Sequence, residues 1–235
     1  MTALLVLPSS LGTTVELWDQ NVPHWQGRFR LLRYAHQSRT SVEELARDLL
    51  ETLDGAGAAR ASICGVSLGG ATAMAFAAAH PDRVERIVVA CTSARFGEPE
   101  QWLERAAAVR ERGLEPIADS IVARWFTSAA LPDLVARFRR QLVETPAEDY
   151  ARLCDALAAW DFRGGLSEIT APTLVVAGSD DAATPVEHQE LLAERIPHAR
   201  LVVLGGAGHL ANVEQPEQFS RLVAEHLSSP VAEVA

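Results

Sequence analysis

The chain has 235 residues, 48% hydrophobic and 22% charged, which suits a single globular domain with a core of its own and excludes a disordered chain. A formal charge of −10 excludes the concentrated basic surface that nucleic acid binding requires, and an anionic ligand would need local positive charge against that field. All 21 basic residues are arginine, so neither a Schiff-base lysine nor a phosphate-loop lysine exists. The three cysteines, Cys64, Cys91 and Cys154, are far apart and odd in number, and fit neither a disulfide framework nor a metal site. No apolar run is long enough to span a membrane and no charged leader precedes the first one, so the chain reads as soluble and cytoplasmic. No sequence feature marks an oligomer interface.

Taken in chain order, short apolar runs alternate with helical patterns. Ala3–Leu7 reads as a strand and Phe29–Tyr34 as a weaker one. Ser41-Val42-Glu43-Glu44 is a capping box, in which Ser41 caps and Glu44 is expected to reach back; it opens a helix to Leu53 with Val42, Leu45, Leu49 and Leu53 on one face. Strand Ala61–Val66, helix Leu68–His80 and strand Val84–Ala90 follow. From Glu98 to Trp160 no strand appears. That stretch is rich in Ala, Leu, Arg and Glu and broken at Gly113, Pro132 and Pro146, which predicts about four short helices. The strand Thr173–Ala177, a helix from Pro185 to Ile196, the strand Arg200–Leu204 and the helix Pro216–Leu227 complete the pattern, with a frayed tail expected over Ser228–Ala235.

Continuously apolar strands alternating with helices predict an α/β fold, a mainly parallel sheet covered on both faces. The expected organisation is a core of residues 1–94 and 161–235, with 95–160 inserted as a helical lid, because an insertion at a strand's carboxyl end lies over the ligand crevice of such a sheet.

Gly65-Val66-Ser67-Leu68-Gly69 matches Gly-x-Ser-x-Gly and stands between a predicted strand and a predicted helix, the context in which such a serine is presented at a sharp turn. A serine hydroxyl needs a base. Of seven histidines, His209 is the strongest candidate, in a glycine-rich loop directly after the strand ending at Leu204; His24, His36, His188, His198 and His226 are read in loops or on helix surfaces, and His80 ends a helix. The acid is expected after the strand ending at Ala177, where Asp181 is preferred over its neighbour Asp180. Two backbone N–H groups should bind an oxyanion: that of Leu68, at a helix N-terminus, and that of Leu11, in the loop after the first strand.

With these pieces placed, the sequence resembles the α/β-hydrolase superfamily and, more narrowly, the 3-oxoadipate enol-lactonases. Ser9-Ser10-Leu11-Gly12-Thr13-Thr14 with Trp18-Asp19 is similar to that family's oxyanion loop, Arg124-Trp125-Phe126-Thr127 to a motif in its lid, and His209–Pro216 to its histidine segment. The resemblance implies opening of 3-oxoadipate enol-lactone to 3-oxoadipate in aromatic-compound catabolism, with Ser67, Asp181 and His209 catalytic, Leu11 and Leu68 in the oxyanion hole, and neither metal nor organic cofactor. A substrate with a free carboxylate calls for an arginine, for which Arg124, adjoining Trp125 in the lid motif, is a candidate, the alternative being an arginine laid over a helix surface. Ser10 is a candidate at the substrate, and Trp125 and Trp102 read equally as pocket wall or as lid core. Two departures are expected: no hairpin before the first strand, and a shortened Ala35–Ser41 where relatives carry Asp-x-Arg-Gly-His-Gly-x-Ser. The alternatives are another carboxylesterase, a lactonase, a serine acyltransferase or a C–C bond hydrolase with the same triad, or a non-catalytic hydrolase-fold binding protein, against which the intact Ser67, Asp181 and His209 argue.

Overall fold

The computed structural model describes residues 2–36 and 38–229. Six strands, β1 Leu4–Pro8, β2 Arg30–Tyr34, β3 Ala61–Val66, β4 Val84–Ala90, β5 Thr173–Gly178 and β6 Ala199–Leu204, form one sheet in the order β2-β1-β3-β4-β5-β6, every pairing parallel. Strands β1, β3 and β5 are buried along their whole length. That two-sided burial is why they read as unbroken apolar runs. The edge strands β2 and β6 are partly exposed along most of their length, which is why Phe29–Tyr34 gave a weaker signal.

Among the described residues ten α-helices lie between the strands or after the last of them: α1 Val22–Trp25, α2 Val42–Gly55, α3 Leu68–Ala79, α4 Pro99–Arg112, α5 Ala118–Val122, α6 Pro132–Glu144, α7 Ala147–Ala159, α8 Val186–Arg195, α9 Ala211–Glu214 and α10 Pro216–Ser228. Helix α3 is enclosed from Leu68 to Ala77 and packs on β1, β3 and β4. Its small residues permit that approach: a Cβ at Gly69 would stand 2.9 Å from the Ser9 carbonyl, and one at Gly70 would stand 2.8 Å from the Thr92 side chain. Of the predicted tail only Ser228 and Ser229 are described, with Ser228 closing α10; 230–235 lie outside the described residues. No helix among the described residues is long and apolar enough to cross a membrane.

Helices α4 to α7 all lie between β4 and β5 in the chain, with Gly113, Pro132 and Pro146 at their ends. The two ends of this segment sit side by side. The Phe162 N–H donates to the Ala94 carbonyl (2.8 Å) and the Trp160 indole to that of Ser93 (3.0 Å). The Ser41 hydroxyl caps α2 by accepting from the Glu44 N–H, as expected, but the Glu44 carboxylate accepts from the Thr40 N–H instead of reaching Ser41. Helices α1 and α9 and a 3-10 turn at Val15–Trp18 lack a sequence signal because they are single turns fixed by distant partners. The Trp18 indole donates to the Pro8 carbonyl, and the Asn21 amide to the Asn212 carbonyl and the Ser220 hydroxyl.

Candidate active site

The order of the sheet reverses around β1, whose chain neighbour β2 lies on one side and β3 on the other. Loops leaving the carboxyl ends of β1 and β3 therefore diverge, and the crevice between them is where ligands bind in open α/β sheets. Ser67 and the loop Ser9–Thr14 occupy that crevice.

Ser67 follows β3 directly with φ 54° and ψ −118°, a left-handed conformation that costs a non-glycine residue about 1–3 kcal/mol and persists only where neighbours enforce it. Here its N–H donates to the Ala90 carbonyl (2.9 Å), and its own carbonyl accepts from Thr92 Oγ1 (2.6 Å) and the Ala71 N–H (3.0 Å). The turn aims the side chain away from both strand and helix, towards a cavity of about 290 Å³.

His209 reaches the same cavity from the loop after β6. Its Nδ1 donates to Asp181 Oδ2 at 2.9 Å, with Oδ1 at 3.1 Å. Asp181 is 5% exposed and also accepts from the Ala183 and Thr184 N–H groups (both 2.8 Å) and from Thr184 Oγ1 (2.7 Å). Burial pushes its carboxyl up, but the facing His209 charge and the hydrogen bonds from His209 and Thr184 outweigh it and hold the group below the usual carboxylate range. Asp180, by contrast, is exposed and meets only its neighbour Ser179 through its side chain. With Nδ1 committed to Asp181, Nε2 is the nitrogen left to exchange a proton. No hydrogen bond joins Ser67 to His209 in this structure; both line the cavity.

The loop after β1 is closed on itself. The Ser10 N–H donates to Thr13 Oγ1 (2.8 Å), and the Thr13 N–H and hydroxyl donate back to the Ser10 carbonyl (both 3.1 Å). Gly12 stands at φ +70°, where a Cβ would come 2.6 Å from Leu142 Cδ1. The Leu11 and Leu68 N–H groups take no partner among the described residues, and Ser10 and Leu11 line the cavity.

The remaining expected residues also reach this cavity. Trp125 is buried in its wall and Trp102 half-buried. Arg124 stands exposed at its edge and donates to the Ala182 carbonyl (3.2 Å). Three further groups carried no sequence signal. Arg105 on α4 and Tyr150 on α7 line the cavity, as does His188, read in the sequence as a loop or surface residue. His36 is held against the loop after β1, its ring bonded to Thr72 Oγ1 (2.9 Å) and Ser9 Oγ (3.3 Å). His226, expected on a helix surface, is 5% exposed, because α10 turns that face inward.

A family model described as alpha/beta hydrolase fold matches residues 22–216. A 3-oxoadipate enol-lactonase of Acinetobacter baylyi is 36% identical over 93% of this chain and 86% of its own length. A crystal structure of the enol-lactonase from Burkholderia xenovorans superposes with a TM-score of 0.94 at 36% identity, covering 97% of this chain and 92% of that one. A putative carbamate hydrolase of Stutzerimonas stutzeri is 28% identical over 98% of this chain and 94% of its own length.

Proposed function

This chain belongs to the alpha/beta hydrolase family, and on that premise we propose that it is a serine-dependent lactone hydrolase whose substrate is 3-oxoadipate enol-lactone, with helices α4–α7 as its lid. The observation that carries this reading is the buried Asp181–His209 pair, which brings an imidazole to the same cavity as the strained Ser67.

In this scheme His209 Nε2 takes the Ser67 proton as Oγ attacks the lactone carbonyl. The negative charge that develops on the carbonyl oxygen is met by the Leu11 and Leu68 N–H groups. Asp181 holds the tautomer and stabilises the imidazolium. Collapse of the tetrahedral intermediate breaks the ring C–O bond, and the departing enolate oxygen takes the proton from His209. An enolate leaves more readily than an alkoxide, which suits an enol-lactone to a site of this kind. Water then attacks the acyl-enzyme with His209 again as base, and Ser67 leaves with its proton restored. All of these proton transfers run through side chains already named.

Hydrolysis of the enol-lactone, measured beside simple esters and an alkyl carbamate, tests the reading. The enol-lactone is expected to be the best substrate, and Ser67→Ala to lower its turnover by about 10³-fold or more. Wild-type rates in Ser67→Ala would refute the nucleophile. Esters or carbamates cleaved while the enol-lactone is ignored would refute the substrate and leave the mechanism.

A further inference from the structure

The cavity has a second polar end. Tyr150 on α7 is 1% exposed, and its hydroxyl, which lies beside the Arg105 guanidinium, finds no acceptor among the described residues. Its ring edge also lies 3.1 Å from where a Cβ on Gly12 would stand, so it reaches from the lid to the oxyanion loop. Arg105 on α4 is half-buried, with its guanidinium carbon 4.6 Å above the Trp102 ring. No carboxylate among the described residues pairs with it, although Arg110 on the same helix pairs with both Glu148 and Asp155. A guanidinium partly withdrawn from water without a counter-ion, beside a buried hydroxyl without an acceptor, is costly in the empty cavity. Both deficits are met by one anion: a guanidinium donates to both oxygens of a carboxylate, and a phenol supplies a third hydrogen bond. Burial and the nearby Cys154 push the Tyr150 phenol up while Arg105 draws it back, and it remains a protonated donor. In a chain of net charge −10, such a feature is needed to hold an anion at all.

We propose that Arg105 and Tyr150 form the subsite for the substrate's free carboxylate in the cavity that Ser67 lines, and that discrimination between carboxylate-bearing and neutral substrates resides in this pair. This rests on the hydrolytic reading above and assigns the substrate's carboxylate to Arg105, in the lid interior, rather than to the exposed Arg124.

Two chromogenic esters of equal chain length test it, mono-4-nitrophenyl adipate and neutral 4-nitrophenyl hexanoate. Wild type is expected to favour the anionic ester. The ratio of kcat/KM for anionic over neutral ester should fall about 30-fold in Arg105→Met and about three- to tenfold in Tyr150→Phe, mostly through KM, with Arg105→Lys between wild type and Arg105→Met. Arg124→Met should move the ratio less than Arg105→Met does. Independently of turnover, calorimetry should show adipate binding to the Ser67→Ala protein, weakened at least about tenfold when Arg105→Met is added. A ratio within twofold of wild type in folded Arg105→Met, or a larger effect from Arg124→Met, overturns the subsite. Failure of wild type on both esters and on the enol-lactone, with adipate binding still dependent on Arg105, overturns the hydrolytic reading and supports the subsite.

Discussion

Ser67 stores its strain locally, and the residues around it are chosen by space as much as by chemistry. Gly12 is the clearest case, because its φ of +70° and the 2.6 Å approach to Leu142 both exclude a side chain. Gly12→Ala is therefore expected to destabilise the fold by about 1–3 kcal/mol and to displace the Leu11 N–H. The check is thermal unfolding together with kcat, and wild-type values for both would show that the loop does not need this conformation. Protonation works at the same scale. Burial, followed by the charges of Arg86 and Arg200, lowers His226 from its ordinary value to about 4, and burial lowers His36 to about 3. Both folded-state values lie below the unfolded one near 6.5, so their neutral forms favour folding above that pH. That contribution drains away as pH falls from 6.5 towards 4. Asp181, depressed from the carboxylate range, loses its share only below about pH 4. The melting temperature should accordingly fall as pH drops from 6.5 to 4, and His226→Gln should flatten that slope. An unchanged slope in folded His226→Gln would count against the burial argument.

The two segments that the sequence marks at 124–127 and 209–216 are physically joined. Glu214, on the single-turn helix α9, accepts from the N–H and hydroxyl of Thr127 (both 2.8 Å) and from the Gly208 N–H (2.6 Å), while the Leu210 N–H donates to the Trp125 carbonyl (3.0 Å). The loop that carries His209 is thus clasped on both sides of the imidazole to the turn between α5 and α6. Glu214→Ala leaves the Gly208 and Thr127 N–H groups unpaired in a half-buried place, at a cost of about 1–3 kcal/mol. For a chain of this size each kcal/mol lowers Tm by about 2–4 °C. A drop in Tm with a fall in kcat is the expected result from calorimetry and steady-state kinetics. Loss of stability with kcat preserved would mean that the clasp serves the fold and not the imidazole. Motif recognition found both ends of this clasp. It did not find the contact, because nothing local to either segment indicates that Glu214 faces Thr127.

Across the whole molecule the sheet is stiffest where the candidate site is anchored. Strands β1, β3 and β5 are fully buried, and β4 nearly so, while β2 and β6 have one free edge and are partly exposed. Opening an edge strand exposes less apolar surface than opening a central one. Hydrogen exchange should therefore be slowest in β3, β4 and β5 and at least about tenfold faster in β2 and β6. Edge protection equal to that of the centre would show that the sheet opens only as one unit. The arrangement sets Ser67 at the end of a fully buried strand, as a site needing precise placement requires.

The sequence by itself determined the α/β class, the order of strands and helices, and the candidate residues Ser67, Asp181 and His209. It could do so because strands buried on both faces must be continuously apolar, and because a serine at a strand-to-helix turn needs small neighbours within a few positions. Those demands are local and leave a readable pattern. Tertiary structure alone decided that Asp181 and not Asp180 meets His209, that His36 is half-buried against Ser9 and Thr72 and His226 buried, and that Arg105 and Tyr150 face the cavity from α4 and α7 while Arg124 stays at its edge. Each of these depends on which side of a helix or loop is turned towards a partner tens of residues away. Packing fixes that orientation, and arginines spread over the Arg-rich helices α4–α7 look alike until the helices are set against one another.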